Sequence, residues 1–459
     1  MKGNIRIVSH TNNSPTFAAA VAAFKATYPQ AEWVQYDPIS SSAQIEANRL
    51  YYGVPHMPLY RLERAKCVVG IEADFLATWL SPVEYTHGYT VNRKLTDADI
   101  DNAANVMSTH IQIESRMSLT GSNADHRVLI KPSEWEAAIG FLHREVANLT
   151  GNPVLDLPFT PKFAWERAEK ALKSTAKKLV ERNRQSVVIC GINDVKIQQV
   201  VNSINDMIGA RGNTVIINEK EHSLQRLGSD AAAEQLVNDM KNKAVDAVIV
   251  LGNANPAFDL PGSLAADFAA ALPEVGLSVS MNGSIDDTTA LCQYIAPDNH
   301  NLETWGDAEP RRGEIFVVQP TIGRLFNTRA AGESLLAWAG QPQPYREFMQ
   351  QVWKARFFPL QSDYMTFQSF WNNTLHDGWT LLTGKVTMGD NAAPAVAANE
   401  ADSGETVAPE EAPVATTGSS DVANIMAQFQ QTTVEGLEVT FYESIQLGAG
   451  QFANNPWLQ

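Results

Sequence analysis

The feature that most constrains this chain is a recurring alternation of short apolar runs with longer amphipathic stretches. Lys66-Cys-Val-Val-Gly-Ile71, Ser186-Val-Val-Ile-Cys-Gly191 and Asp246-Ala-Val-Ile-Val-Leu-Gly252 have the length and composition of buried strands. Strands separated by helical crossovers imply parallel sheets covered on both faces. In the first 150 residues, strands are expected at Ile5 to Val8, Trp33 to Tyr36, Cys67 to Ile71, His110 to Glu114 and Arg127 to Ile130. Helices are expected at Pro15 to Thr27 (Ser14 as N-cap, Pro15 in the first turn), Ala43 to Tyr51 and Ser133 to Asn148.

Turn-rich residues from Leu149 to Pro161 suggest a boundary, so residues 1–150 read as a first α/β domain. A second one, 151–341, opens with an expected helix from Lys162 to Arg182. Strands follow at Val187 to Cys190, Thr214 to Ile217, Ala247 to Leu251 and Gly276 to Ser280, with helices ending at Ile208 and spanning Ala231 to Asn242 and Leu264 to Leu272. The fold class is therefore α/β, with two doubly wound, Rossmann-like parallel-sheet domains and a helical or irregular C-terminal segment. Residues 342–388 read as aromatic-rich helices, Tyr345 to Phe358 and Asp363 to Leu375. Residues 389–420, rich in Ala, Pro and Glu, read as a disordered acidic linker. Residues 421–459 read as a short helix and then an exposed or edge strand, Val434 to Tyr442.

With 44% apolar and 19% charged residues the composition is that of a globular protein, and no run is long enough to cross a membrane. The formal charge of −16 argues against nucleic acid as a partner. No Lys or Arg follows Lys385, so the excess is concentrated towards the C-terminus. Cys67, Cys190 and Cys292 sit in apolar, strand-like settings without a C-x-x-C pair, and read as packing residues rather than cluster ligands.

Between Pro297 and Gly340 a polar loop carrying His300-Asn-Leu-Glu-Thr-Trp-Gly-Asp307 is followed by an expected strand, Ile315 to Val318, which ends at Gln319-Pro-Thr-Ile322, and by an expected helix from about Thr328 to Ala339 that includes Arg329. This stretch resembles the part of the molybdopterin oxidoreductase superfamily in which an H-x-L-E-x-W-G-D loop precedes a Q-P-x-I strand end. Most similar is the large iron-sulfur subunit of bacterial alternative complex III. Gly70 to Tyr85, Glu114 to Val128 and the terminal Ala453 to Gln459 also agree with it. The resemblance implies a molybdopterin-enzyme-like fold that has lost its molybdenum cofactor, with iron-sulfur clusters in a Cys-rich part downstream. It implies as partners a multihaem cytochrome c subunit and integral membrane quinol-binding subunits, with a terminal oxidase as a further candidate. It places the subunit on the periplasmic face of the bacterial cytoplasmic membrane. A chain that opens directly on a strand and stops within Asn-Pro-Trp-Leu-Gln is expected to be a segment of a longer polypeptide.

No residue is assigned a catalytic or metal-binding role. Gly191 and Asn193 occupy a βα turn suited to phosphate but lack a glycine-rich fingerprint, and read as a structural turn. Gly252, Asn253 and Asn255 resemble a turn near the pterin dinucleotide in the superfamily, although such residues also serve plain turns. His300 and Glu303 are too few to bind a metal and read as a hydrogen-bonded loop locked by Trp305 and Asp307. Asp125, His126 and Arg127, near Ser118, Thr120 and Ser122, lack a nucleophile elbow and read as a buried polar turn shaping an inter-domain cleft. Three functions remain open: a cofactor-free scaffold in a quinol-oxidising complex, a genuine molybdopterin-dependent oxidoreductase, and a nucleotide- or sugar-binding α/β protein.

Overall fold

The computed structural model describes residues 3–94, 107–382, 385, 418–432, 434–453 and 455–458. The chain opens with β1 (Ile5–Ser9), α1 (Pro15–Thr27) and β2 (Glu32–Gln35). Ser14 caps α1, its side chain accepting from the Phe17 amide, and Pro15 takes the first turn, where its missing N–H costs nothing. After α2 (Ser42–Tyr52) come β3 (Leu59–Tyr60), β4 (Cys67–Ile71), α3 (Pro82–Val91), β5 (Thr109–Glu114), β6 (His126–Leu129) and α4 (Trp135–Thr150). Next are α5 (Ala168–Glu181), β7 (Ser186–Cys190), α6 (Val195–Met207) and β8 (Val215–Ile216). The chain continues through α7 (Asp230–Lys241), β9 (Ala247–Val250), α8 (Ser263–Ala271), β10 (Leu277–Ser280) and β11 (Tyr294–Ile295). Then follow β12 (Gly306–Arg311), β13 (Glu314–Val318), α9 (Ala331–Trp338), α10 (Tyr345–Arg356), α11 (Phe367–Asp377), β14 (Trp379–Leu381) and α12 (Gly418–Met426).

These elements form two compact units. Met1–Ser42 with Glu219–Glu410 make the first, and Ala43–Asn218 with Glu411–Gln459 the second. The first holds a five-stranded parallel sheet in the order β11-β10-β9-β1-β2. The second holds a four-stranded parallel sheet in the order β6-β5-β4-β7. Two parallel Rossmann-like sheets are present as the apolar runs imply, but the contiguous boundaries at 150 and 341 are not those of the compact units. The five strands expected in residues 1–150 divide between the sheets, and β7 joins β4 rather than β9. Periodicity identifies a strand; it does not say which neighbour a long crossover delivers it to.

The inner strands of the parallel sheets are covered on both faces. Every residue of β4, β7 and β9 is buried, the signature of strands with helices on either side. In the second unit, Val68, Ile113, Val188 and Ile189 share one core with Leu142 and Val146 of α4, Leu172 and Leu179 of α5, and Val201 and Ile204 of α6. Val422, Met426 and Phe429 return to that core from the far end of the sequence.

Several expectations are corrected. The helix expected from Lys162 begins only at Ala168, behind turns at 164–167. The strand at 214–217 shrinks to β8, which pairs antiparallel with β3 outside both parallel sheets. The expected strand Ile315 to Val318 is present as β13, and the polar loop before it contains an unforeseen one: β12 joins β13 and β14 in a three-stranded antiparallel sheet. Gly306, Asp307 and Pro310 disguise β12, because they lower strand propensity. The aromatic helices pack on this sheet instead of forming a separate segment: Trp353, Phe357, Phe370 and Trp371 share a cluster with Ile315 and Leu382. The strand expected from Val434 to Tyr442 does not form: the segment bends at Gly436, where φ is 103°, and pairs with no strand among the described residues. The acidic linker expected at 389–420 lies outside the described residues up to 417, and residues 418–420 already belong to α12.

Asp307 fastens the first unit. Its buried carboxylate accepts from the Ser14 hydroxyl at 2.5 Å, the Thr16 amide at 3.2 Å, the Thr16 hydroxyl, and the Trp353 indole at 2.7 Å. One side chain therefore joins the start of α1, strand β12 and helix α10. Asp307→Ala leaves those donors buried without an acceptor, and is expected to destabilise this unit by about 3 kcal/mol in urea unfolding. Asp307→Asn, which keeps one acceptor oxygen, is expected to lose clearly less.

Candidate functional site

In an open parallel sheet the crevice where strand order reverses is the place a ligand reaches most directly. For the five-stranded sheet it lies beyond β1 and β9, which carry Ser9-His-Thr-Asn-Asn-Ser14 and Leu251-Gly-Asn-Ala-Asn-Pro256. Gly252, Asn253 and Asn255 therefore stand at the switch point. For the four-stranded sheet it lies beyond β4 and β7, where Gly191 and Asn193 stand.

The β9 turn takes a left-handed backbone, with φ of 69° at Gly252 and 58° at Asn253. A Cβ on Gly252 would meet only the Ser9 Cβ, at 3.9 Å. The polar groups around the turn bind one another. Asn255 accepts from the Thr288 amide at 3.0 Å and hydroxyl at 2.7 Å, and donates to Asp287 at 3.2 Å. Asp259 takes the Asn255 amide at 3.2 Å, the His10 Nε2 at 2.8 Å and the Tyr36 hydroxyl at 2.5 Å. Burial and the adjacent Asp259 charge hold the Tyr36 phenol well above its usual range. Thr11 and Gly228 are tied to Asp37, and the Thr289 amide to Asp286. His10, Tyr36 and Asp259 went unnoticed in the sequence because they are 223 or more residues apart across one contact pair or the other; the one local signal is that His10 directly follows a strand.

At the second switch point the ends of β4 and β7 approach closely. A Cβ on Gly191 would lie 2.4 Å from the Glu72 carbonyl oxygen, and the Gly191 amide donates to Ile71 at 2.9 Å. Glycine is needed here for close approach, not for a special φ. Asn193 accepts from the Ala43 amide at 2.9 Å, capping α2. Glu72 accepts from the Ser115 amide at 2.6 Å and the Trp135 indole at 3.1 Å, and burial raises its carboxyl above the usual range despite them.

The other polar clusters also close on themselves. Asp125 pairs with Arg93 through two 2.8 Å bonds and takes the His110 amide, which hold its carboxyl down at about 2. Glu114 receives Ser118 and Arg127 at 2.6 Å each, and Asp74 receives Thr120. All of these bonds fall inside the second unit. His300 and Glu303 form a reciprocal cap on a single turn, and Glu303 also takes the Leu325 amide at 3.0 Å. Among the described residues no three His, Cys, Asp or Glu side chains are grouped to hold a metal ion. Cys67 and Cys190 are buried and Cys292 is half-buried; burial lifts their thiols to about 12, about 12 and about 11. None is a reactive thiolate near neutrality.

A pterin dinucleotide is anionic and needs N–H donors or cations where its phosphates rest. Around the β9 turn the amides of Asn255, Thr288 and Thr289 are already taken, and the carboxylates of Asp37, Asp259, Asp286 and Asp287 are the neighbouring charges. Those polar groups of the β9 turn are committed to one another, whereas Lys25, Arg312 and Arg356 line a cavity beside the β1 loop at Asn12 to Ser14; at the β7 turn the Glu72 carbonyl leaves no room for a side chain on Gly191.

No protein-family model matches this sequence, and no curated protein matches it. Among solved structures the chain is similar to acetylene hydratase from Pelobacter acetylenicus. The TM-score is 0.56 at 10% identity, covering 83% of this chain and 60% of that one. The chain thus spans less than two thirds of that structure's length. The likeness is one of fold, an α/β chain with two parallel, Rossmann-like sheets.

Two glycines separate the two switch points experimentally. Gly191→Ala is expected to cost the second unit about 1–3 kcal/mol through overpacking. Gly252→Asn is expected to be nearly neutral, because asparagine tolerates the left-handed region; urea unfolding of both variants measures the contrast. A second test concerns Asp298, which burial lifts to about 6 although it accepts from the Ala331 amide at 2.8 Å and the Asn299 amide at 2.7 Å. A carboxyl raised on folding favours the folded state at low pH, and that advantage is lost as pH rises from about 4 through about 6. The melting temperature of the parent relative to Asp298→Asn is therefore expected to fall across that window and to be level above pH 7.

Proposed function

We propose that this chain is a cofactor-free scaffold region of a molybdopterin-enzyme-like subunit, working within a membrane-associated quinol-oxidising electron-transfer complex of the alternative complex III type. The observation that carries the scaffold reading is the Glu72 carbonyl lying where any side chain on Gly191 would have to be. Strand ends packed this closely at Gly191, and polar side chains at the β9 turn that bind one another, favour packing over ligand chemistry. The complex is suggested by the His300-Asn-Leu-Glu-Thr-Trp-Gly-Asp307 and Gln319-Pro-Thr-Ile322 stretches, and the moderate fold likeness to acetylene hydratase is consistent with such an ancestry. In this role the region fixes the geometry of neighbouring subunits; electron carriers would lie in a Cys-rich part of the same subunit and in a multihaem cytochrome c. Membrane subunits would bind the quinol, and a terminal oxidase is a further partner. The assembly would sit on the periplasmic face of the cytoplasmic membrane. Among the described residues no helix is long and apolar enough to cross a membrane, so attachment would be peripheral for this part.

The alternative, a molybdopterin-dependent oxidoreductase, differs in one measurable respect. The tagged chain, isolated from its native membranes, is expected to carry haem-bearing and membrane subunits with it and to contain no stoichiometric molybdenum, tungsten or pterin. One metal equivalent with oxidised-pterin fluorescence would overturn the scaffold reading. Isolation of the chain without haem-bearing partners would overturn its place in the complex.

A further inference from the structure

The two stretches singled out between Pro297 and Gly340, His300 to Asp307 and Gln319 to Arg329, meet in the first unit and build one patch. The Leu302 carbonyl accepts from the Thr321 amide at 2.8 Å and the Ile322 amide at 3.0 Å. The Glu303 carboxylate accepts from the Leu325 amide at 3.0 Å. These bonds gather four apolar residues, Leu302, Ile322, Leu325 and Phe326, which are 50%, 42%, 71% and 76% exposed. The tip of the loop is held from within. The Thr328 amide donates to the Phe326 carbonyl and the Arg324 guanidinium to the Thr328 carbonyl, both at 2.9 Å. A single exposed apolar residue needs no explanation, but four gathered by specific bonds on a loop closed on itself do.

Charge and shape select the occupant. Arg324 and Arg329 are exposed beside the apolar residues. Arg324 bonds the Thr328 carbonyl through one Nη, and Arg329 bonds the Ser334 hydroxyl through Nε at 2.9 Å; a guanidinium carries five N–H donors. Glu303, the carboxylate within the patch, has its two oxygens on backbone amides, those of His300 and Leu325. Guanidinium groups beside apolar tips match a phospholipid surface, where phosphates lie over acyl chains. A peptide partner would dock on a strand edge or in a helix groove, and residues 320–329 contain neither helix nor strand. Leu325 and Phe326 are adjacent in sequence and both stand in solvent where the chain bends, the shape of a wedge and not of a pocket. We propose that residues 320–329, with Leu302, form a bilayer-docking wedge. Leu325 and Phe326 enter the boundary between headgroups and acyl chains, Leu302 and Ile322 lie at the rim, and Arg324 and Arg329 bind lipid phosphates. The contact does not depend on cofactor content, so it stands or falls separately from the scaffold reading.

The test is cosedimentation of the whole chain with phosphatidylcholine vesicles, a zwitterionic surface chosen because the formal charge of −16 repels an anionic one. The parent is expected to bind. Leu325→Ser combined with Phe326→Ser alters exposed positions; it is expected to keep the parent melting temperature and to lower the partition coefficient about tenfold or more. Arg324→Gln combined with Arg329→Gln is expected to lower it by a smaller factor. Val83→Ser, at a side chain 85% exposed on α3 of the second unit, is expected to change nothing. The proposal fails if the parent does not bind, if either double variant binds like the parent, or if Val83→Ser weakens binding as much, the mark of general stickiness. It fails equally if the two serines abolish a concentration-dependent self-association, or strip a haem-bearing subunit from the detergent-extracted complex, since either result assigns the patch to a protein surface.

Discussion

The first unit depends on one buried carboxylate. Asp307 binds the beginning of α1, a hydroxyl and an amide of its first turn, and the indole of α10, all from strand β12. Burial raises its carboxyl above the usual range, and the four donors oppose that rise. Removing a carboxylate from water is costly, so the site is stable only while every donor is in place. The consequence is specificity. Apolar side chains in the Trp353 cluster tolerate small shifts, whereas four converging donors allow one arrangement of helix, hairpin and aromatic layer.

Much of this was legible in the sequence. The N-cap at Ser14, the first-turn proline and the buried strands follow from local chemistry, and the structure has them within a residue or two. The long loop also reads correctly as a hydrogen-bonded feature, with His300 and Glu303 capping each other. What could not be read is pairing over long separations. Nothing in Ile5 to Ser9 says that its second neighbour is Ala247 to Val250, and nothing near Asp259 announces His10 and Tyr36. Strand β12 escaped for a different reason: Gly306-Asp-Ala-Glu-Pro-Arg311 is a poor strand by propensity, and it forms because β13 and the engaged Asp307 hold it.

The two switch points carry similar sequence signals, a glycine after a buried strand and an asparagine soon after, yet they are built for opposite reasons. Gly252 answers a backbone requirement, a left-handed turn with room around it. Gly191 answers a spatial one, the carbonyl of Glu72 pressed into the place of a side chain. One motif thus has two physical meanings, and only the neighbours decide between them. The same holds for carboxylates: Arg93 keeps Asp125 ionised, while burial pulls Glu72 and Asp298 the other way.

The order in which the strands are assembled has a bearing on synthesis. β1 lies between β2 and β9, and its partners in β9 are encoded some 242 residues later, Ile5 beside Ala247. The second unit contributes most of the intervening chain. During translation, Ile7 and Val8 would leave the ribosome with one edge open and keep it so until the far half of the sheet emerges. Closing so long a loop is slow, and an unpaired apolar edge invites wrong partners meanwhile. In such a topology, folding of the intervening unit shortens the loop that β1 must close to reach β9.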